Sequence, residues 1–464
     1  MNTILGLIPV EAFLFCWILL ILGLKISGKN SGGLYVNLLL LGVLVAIGLV
    51  AFPAPKAQFG DLIHVNSLNR FIRGLLYLGT FFIVIQSSSW LKKHHHAAEF
   101  SILLLVVLSG LGLMVSTGNL LIFYLGLEMA SIPLAAMASF NLTSKMSGES
   151  GLKLILSSAF SSGFLLFGIS LIFGLTGTIS IAEIPVNLAN STLALIAMVM
   201  IFSGFAFKLS AVPFHFWTAD VYQGAPMGIT AFLAIVSKSS IAFVFLTVLF
   251  PILSAIQQVW PTVLIALILL TIFTGNIFAL RQSSLKRFLA FSSIAQVGFI
   301  LMGMLVPSEK AAVSVLYFLV VYMFSSICIF GVAQWLEEQT GKDSLSNFKG
   351  LYKENPFAAW SVALGLFSLA GIPPTAGFFG KFFLIGSGFQ GASVWYVVLV
   401  GLNMVISLYY YLKIVKYMFM NEVIEELEKP QMALPLKISL GIGMLAICFL
   451  GLSNWIVNHL SNLF

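Results

Sequence analysis

Residues 207–240 read FKLSAVPFHFWTADVYQGAPMGITAFLAIVSKSS, and this stretch places two lysines inside hydrophobic runs. Lys208 and Lys238 each lie where a charge at the centre of a bilayer helix costs roughly 3 kcal/mol on insertion scales. Glu128 and Lys381 lie in two further apolar runs of the same kind. Four charged residues inside apolar helices would carry a large free-energy cost of membrane insertion, so we expect them to have a function. The first functional hypothesis is therefore a row of titratable groups that moves protons through the hydrocarbon layer.

The composition predicts a membrane protein. The chain has 464 residues, of which 59% are hydrophobic and 8% are charged, and its mean hydropathy is +1.05. A soluble globular domain usually carries about 25% charged residues, so this chain is interpreted as polytopic. The net charge of +7 does not predict nucleic-acid binding, because the basic residues lie in short loops between apolar runs.

Runs of about 20 apolar residues predict membrane-spanning helices, which need roughly that length to cross the hydrocarbon layer. The sequence contains fourteen such runs, numbered here as spans 1–14. Their limits are residues 4–24, 34–52, 71–90, 99–116, 119–140, 153–175, 192–217, 226–250, 260–280, 289–306, 311–335, 357–388, 394–419 and 434–458. The predicted fold is an all-α polytopic membrane protein that forms a single membrane domain over residues 1–464.

The basic residues predict how the spans are oriented, because positive charges stay in cytoplasmic connections. Of the 23 lysines and arginines, sixteen lie in odd-numbered connections and four in even-numbered ones. The other three are the lysines inside spans 7, 8 and 12. This bias places the odd-numbered connections in the cytoplasm and predicts that both chain termini lie on the outer side. A single missed span would have scrambled the bias, so it also supports the number of spans.

Spans 7 and 12 are too long and too interrupted to be plain helices. Span 7 carries Pro213 and His215 shortly after Lys208. Proline removes a backbone donor and breaks a helix, and inside a membrane the freed groups must face protein or a water-filled cavity. Span 12 is interrupted just before its lysine by Gly371, Pro373, Pro374 and Gly377.

A matching pair of interrupted spans is typical of inverted-repeat transporters. Spans 7 and 12 are five apart and therefore run in opposite directions. We predict two inverted five-helix repeats, namely spans 4–8 (residues 99–250) and spans 9–13 (residues 260–420). Spans 1–3 (residues 1–98) and span 14 (residues 434–458) are peripheral to them. The alternative, that both breaks are only packing kinks, stays open.

The four charged residues are predicted to share one depth. At about 1.5 Å per residue, Glu128 and Lys238 lie roughly halfway along their spans. Lys208 and Lys381 lie beside the two breaks, away from both surfaces. The structural alternative is a static Glu128–Lys208 ion pair that holds helices together. That alternative leaves Lys238 and Lys381 without carboxylates.

No ligand motif for a redox cofactor or metal is present in the sequence. Cys16, Cys328 and Cys448 are far apart, and no CxxC occurs, so neither an iron–sulfur cluster nor a zinc site is predicted. Nothing resembles a GxGxxG dinucleotide fingerprint or a phosphate-binding loop. We expect no cofactor and no metal on this chain.

Several stretches resemble one protein family. Residues 207–240 look like the seventh and eighth helices of the antiporter-like membrane subunits of respiratory complex I, and subunit N of bacterial NADH–quinone oxidoreductase is the nearest of these. Further matching motifs are LGLEMASIPL, ALRQSSLKRFLAFSSIAQVGFIL, SLAGIPPTAGFFGKFFL and VISLYYYLKIVKYMF. Together they cover most of residues 119–420, in the order and spacing of the family.

The resemblance implies proton translocation along a lysine/glutamate axis. By family role, Glu128 and Lys208 form the input pair, Lys238 connects to the centre, and Lys381 is the terminal exchange residue. A lysine at position 381 fits subunit N or L, whereas subunit M has glutamate there. The residues at the breaks are interpreted as supporting positions, namely Pro213, His215, Pro373 and Pro374.

One position departs from the family pattern. The tenth helix of many relatives reads SSIxHxG, whereas this chain has Gln296 at the histidine position. Glutamine cannot titrate, so a proton step there would have to use bound water.

The resemblance also implies a setting. NADH, flavin, iron–sulfur clusters and quinone are expected on partner subunits, and the direct partners are other membrane-arm subunits, the lipid bilayer and protons. The expected location is the bacterial inner membrane, with both termini periplasmic.

Two other classes of function remain as alternatives to a complex I subunit. One is a subunit of a multi-subunit cation/proton antiporter, although sodium selectivity would favour clustered carboxylates and only Glu128 lies at the midplane. The other is a structural membrane-arm element that pumps nothing, which the complete lysine set disfavours.

Overall fold

The computed structural model describes residues 9–28, 31–51, 57–188, 191–253, 260–306, 308–389, 394–422 and 431–463. Within them, a helix lies at each predicted span, and the helices are numbered as the spans. They are α1 Pro9–Ile26, α2 Gly32–Ala51, α3 Ser67–Lys93, α4 Ala97–Val115, α5 Leu120–Ala138, α6 Lys145–Thr176, α7a Thr192–Leu209, α7b Phe216–Gly224, α8 Met227–Leu253, α9 Trp260–Leu280, α10 Leu285–Met302, α11 Glu309–Thr340, α12a Pro356–Ala370, α12b Ala376–Phe389, α13 Val394–Met420 and α14 Leu434–Leu452.

The prediction of an all-α membrane protein with about fourteen spans is confirmed. In the described part of the chain, twelve helices are long and apolar enough to cross a membrane, and α12a and α12b are shorter apolar helices. The remaining span is α1, of 18 residues, and the start of its predicted range, residues 4–8, lies outside the described residues. Spans 7 and 12 are both broken in the middle, as predicted.

Some helices begin or end at residues other than those predicted. α6 begins at Lys145 instead of 153, and α10 begins at Leu285 and ends at Met302 instead of covering 289–306. Hydropathy detects only the membrane-embedded part of a helix, whereas a capping side chain sets where the helix begins. In α10 that cap is Ser284, whose Oγ accepts from Arg287 N at 3.1 Å.

The described connections hold a little regular structure of their own. Strands β1 (Ala57–Phe59) and β2 (Ile63–Val65) pair antiparallel in the connection between α2 and α3. The other connections include a 3₁₀ turn at Leu345–Phe348 and short helical segments at Ile184–Asn187 and Leu351–Glu354, and a further short helix, Trp455–Ser461, follows α14.

The chain folds into two compact units. The first comprises residues 1–208, 224–232 and 236–258, and the second comprises residues 209–223, 233–235 and 259–464. The break in span 7 therefore lies next to a change of unit, because α7a belongs to the first unit as far as Lys208 and α7b belongs to the second as far as Gln223. The repeat limits of residues 99–250 and 260–420 stay a prediction.

Close helix packing follows the same pattern within each unit. In the first, α4 packs on α5, and a Cβ added to Gly110 would lie 2.8 Å from Gly126 O. In the second, α9 packs on α10, and a Cβ added to Gly275 would lie 2.5 Å from Ala295 N. Small residues let helix backbones approach where lipid supplies no hydrophobic driving force. α4–α5 and α9–α10 occupy corresponding positions in the two predicted five-helix repeats.

Candidate functional site

Glu128 lies in the middle of α5, whose first turn is capped by Asn119. Asn119 Oδ1 accepts from Ile122 N at 2.8 Å. The Glu128 side chain is partly buried, and its Oε1 accepts a hydrogen bond from Ser162 Oγ on α6. A carboxylate at midspan is therefore held by a hydroxyl of the neighbouring helix.

Lys208 lies in the last turn of α7a, immediately before the break. Its Nζ donates to Ser131 Oγ of α5 at 2.5 Å and to Ser158 Oγ of α6 at 2.6 Å. Both serines are buried. The position at a helix C-terminus favours a cation, because the helix dipole is negative there. All of these contacts lie within the first unit.

The structure brings Glu128 and Lys208 together through serines instead of a direct ion pair. Among the ion pairs of the described residues, none joins the two. Ser158 and Ser162 are one turn apart on α6, and Ser131 follows Glu128 by three residues on α5. Glu128 and Lys208 are therefore both bonded to α6, through hydroxyl groups that lie one turn apart on that helix.

Lys238 is 2% exposed and lies near the middle of α8. It directly follows a π-helical turn at Leu233–Ser237, and a second π-helical turn occupies Phe245–Leu249. π-Bulges inside α-helices are rare and frequently lie at functional sites. The sequence analysis did not predict them, because no proline or glycine marks either turn.

The break in span 7 leaves polar groups without protein partners. Ser210 adopts a left-handed φ of 65°, and Val212 N donates to Thr271 Oγ1 of α9 at 3.0 Å. The buried atoms Ser210 Oγ, His215 Nδ1 and Thr218 Oγ1 have no hydrogen-bond partner in this segment. Buried polar atoms are normally satisfied by protein or by water, so we expect water at this break.

The break in span 12 begins with a backbone cap. Gly371 has a left-handed φ of 86°, which glycine tolerates without strain. Its N–H donates to Phe367 O and Ser368 O, each at 3.0 Å, and Ile372 N also donates to Phe367 O at 3.0 Å. Two of the four carbonyls that a helix end leaves unpaired are thereby satisfied.

Two side chains satisfy the other carbonyls at the end of α12a. Gln296 Nε2 donates to Leu369 O at 3.2 Å, and Lys381 Nζ donates to Ala370 O at 3.4 Å. Gln296 and Lys381, both selected as candidates from sequence, thus meet at consecutive carbonyls. The cis peptides Val212–Pro213 and Pro373–Pro374 lie within the two breaks.

Lys381 is fully buried on α12b. Besides Ala370 O, its Nζ lies 4.4 Å from the centre of the Phe299 ring. No described carboxylate forms an ion pair with it. A cation over an aromatic face is attracted to the ring, but a neutral lysine also fits such surroundings. This lysine is therefore held without a fixed negative partner.

Within the second unit, Gln296 belongs to a chain of hydrogen-bonded polar side chains. Gln296 Nε2 also donates to the Tyr411 hydroxyl at 3.0 Å, and that hydroxyl lies 2.6 Å from Ser292 Oγ. Gln296 Oε1 is buried and has no protein partner. A single water at Oε1 would complete the amide, in keeping with the expectation that this position uses bound water.

The hydroxyl groups of the site are not among the residues predicted from sequence. Ser131, Ser158, Ser162 and Tyr411 contact the candidate residues, yet none was selected. One signal was available, because SSAFSS at residues 157–162 places four serines in an otherwise apolar span. Within the described residues no group of three or more His, Cys, Asp or Glu side chains could hold a metal ion.

Comparison with known proteins identifies the family. A family model described as NADH:quinone oxidoreductase/Mrp antiporter, TM matches residues 117–407, more than half of the chain. NADH-quinone oxidoreductase subunit N of Phocaeicola vulgatus is 41% identical over 426 residues, which cover 90% of this chain and 90% of the relative. The chain belongs to the subunit N family. The resemblance seen in the motifs is thereby confirmed.

Other subunit N proteins and solved structures agree. Subunit N of Azobacteroides pseudotrichonymphae is 39% identical and covers 83% of this chain and 82% of its own length. A chain of respiratory complex I from Thermus thermophilus with bound aureothin has a TM-score of 0.82 at 26% identity, covering 96% of this chain and 97% of that one. A chain of the Mrp complex from Dietzia sp. DQ12-45-1b has a TM-score of 0.82 at 19% identity, covering 98% and 96%, and shows the shared fold alone.

Proposed function

We propose that this chain is a proton-translocating membrane-arm subunit of a respiratory NADH–quinone oxidoreductase. The observation that carries the proposal is the fully buried Lys381, which contacts a backbone carbonyl and an aromatic ring instead of a carboxylate. A buried lysine is unfavourable in a membrane and is expected to have a use. Membership of the subunit N family indicates the reaction that Lys381 would serve, namely proton translocation coupled to NADH–quinone oxidoreduction.

Each candidate residue has a part in the proposed path. Glu128 and Lys208 receive the driving signal, and their mutual attraction determines whether Lys208 keeps its proton. Lys208 then either keeps its proton or passes it to Lys238. Lys381 releases a proton outward. Gln296 takes part through bound water, because its amide cannot titrate.

The energy for pumping comes from partner subunits in this proposal. NADH, flavin, iron–sulfur clusters and quinone belong to those subunits, and the described part of this chain has no metal-binding group. A neighbouring membrane-arm subunit transmits the driving force as a change in charge or geometry that alters the Glu128–Lys208 attraction. In this proposal the chain is a subunit of the translocating enzyme, and the redox chemistry takes place on the partner subunits.

The proposal is tested with the purified complex in proteoliposomes. NADH and quinone should drive proton movement across the vesicle membrane with no sodium gradient present, and pumping should be unchanged when sodium is replaced by choline. An uncoupler supplies the control. Exchange of sodium for protons in the absence of NADH would contradict the proposal.

That contradictory outcome would favour the second candidate, a subunit of a multi-subunit cation/proton antiporter. The fold match to the Mrp complex keeps this alternative open. Against it stands the single midplane carboxylate, Glu128, because sodium ions prefer several oxygen ligands. Both functions would use the same lysines, so ion dependence is the decisive measurement.

The orientation in the bacterial inner membrane follows from the charge bias, and we propose that both termini are periplasmic. A reporter fused after Phe464 should be active only if it is of the periplasmic type, with a cytoplasmic-type reporter at the same site as the matched control. Cytoplasmic activity there would contradict both the fourteen-span count and the inverted-repeat assignment.

A further inference from the structure

We propose that Ser131, Ser158 and Ser162 form a hydroxyl bridge that controls how strongly Glu128 and Lys208 attract each other. This inference rests on the proposed function, because it concerns the same charged residues. The bridge lies within the first unit and joins α5, α6 and α7a. In this proposal the three serines position Glu128 and Lys208 for the proton step.

Serine hydroxyls form hydrogen bonds with both charged groups. Ser162 Oγ donates to Glu128 Oε1, and Lys208 Nζ donates to Ser131 Oγ at 2.5 Å and to Ser158 Oγ at 2.6 Å. The three serines are at most 9% exposed. Two of the three ammonium hydrogens therefore point to hydroxyl oxygens instead of the carboxylate.

Hydroxyl groups suit this position because each can donate one hydrogen bond and accept others. A carboxylate and an ammonium in direct contact inside a protein attract far more strongly than in water. Neutral hydroxyls provide hydrogen bonds to both groups without a direct ion pair between the charges. The attraction then stays weak enough for a neighbouring subunit to change it.

The arrangement predicts two states of the pair. In the bridged state, seen here, serine hydroxyls bond to the ammonium and to the carboxylate, and the two charged groups form no direct ion pair. In a contact state, the serines release them, and the two groups pair directly. Loss of the Ser158 hydroxyl removes one of the two serine acceptors of the partly buried Lys208 ammonium, and the Glu128 carboxylate can then take the place of that acceptor. Removing the hydroxyl therefore favours the contact state, in which Lys208 gives up its proton less readily.

The test uses Ser158→Ala in the assembled complex. We expect energy-coupled NADH:quinone reduction and proton pumping to fall about threefold, since a hydrogen bond to a charged group is worth more than one between neutral groups. The alkaline limb of the pH profile should shift to higher pH. Ser158→Thr keeps a hydroxyl and should restore pumping. The measurements are pumped protons per NADH and the pH dependence of turnover.

The matched control is Ser157→Ala, one residue away on the same helix. Ser157 Oγ donates only to carbonyls of its own helix, those of Lys153 and Leu154. This variant should pump normally. A second control combines Ser158→Ala with Glu128→Gln, in which the pH shift should disappear because the carboxylate has lost its charge. A purely structural effect of Ser158 would not depend on Glu128 in this way.

The outcomes separate this inference from the proposed function. Lys208→Ala, measured in parallel, reports on the function itself. If Lys208→Ala impairs pumping but Ser158→Ala behaves like Ser157→Ala, the bridge is overturned and the function stands. If Lys208→Ala pumps normally, the proposed function fails. Should Ser158→Ala prevent assembly, Ser162→Ala tests the same bridge from its carboxylate end, and normal pumping with an unshifted pH profile would overturn it.

Discussion

Lys208→Ala is expected to lower proton pumping and coupled quinone reduction about tenfold or more, while the complex still assembles. A positioned group that transfers a proton typically contributes roughly 100-fold or more to the rate. Lys208 joins α7a to α5 and α6 through two serine hydroxyls, and alanine removes both the charge and the contacts. Glu128→Ala should have a similar effect, because the protonation states belong to the pair. The measurements are NADH-driven proton uptake and assembly of the complex on native gels.

Lys310→Ala is the matched control for this experiment. Lys310 is an exposed lysine in the first turn of α11, so its loss should change neither pumping nor assembly. If Lys208→Ala or Glu128→Ala instead prevents assembly, the two residues serve to hold the helices together. In that case a static structural role, through the serine contacts of both residues, would be the better explanation, and Glu128 and Lys208 would no longer be supported as the input pair of the proton path.

Lys381→Met is expected to have the other large effect. Methionine keeps a long side chain in the same space but cannot be protonated, so outward proton release should fall about tenfold or more. The Ala370 carbonyl loses its donor, which costs about 1–3 kcal/mol, a loss that an assembled complex should tolerate. The content and potential of every redox centre should stay unchanged. Proton pumping per NADH and the spectra of the clusters provide the two measurements.

Lys381→Arg tests whether residue 381 must gain and lose a proton or needs only to carry a positive charge. Arginine keeps a positive charge but is not deprotonated in proteins. If Lys381 exchanges protons, arginine should impair pumping almost as much as methionine does. Normal pumping with arginine would mean that only a fixed charge is needed there. Normal pumping with methionine, or loss of a cluster, would show that Lys381 is not the terminal exchange site.

Much of this protein could be predicted from sequence because the membrane imposes strict rules. An unpaired backbone group in hydrocarbon is so unfavourable that long apolar runs must be helices, and the break in each interrupted span must contain the proline or glycine that causes it. The helices at the fourteen spans and the breaks at Pro213 and at Pro373–Pro374 follow from these rules. The charges at positions 128, 208, 238 and 381 were conspicuous for the same reason.

The details of the site depended on tertiary structure. The sequence predicts that Glu128 and Lys208 lie at similar depths, but only helix packing decides that serine hydroxyls bond to each of them. The π-helical turn before Lys238 has no sequence signal, since it depends on how α8 packs against its neighbours. The meeting of Gln296 and Lys381 at the end of α12a requires three chain segments to converge. Hydropathy and motif spacing are properties of one segment at a time, whereas hydrogen-bond partners belong to the packed helices.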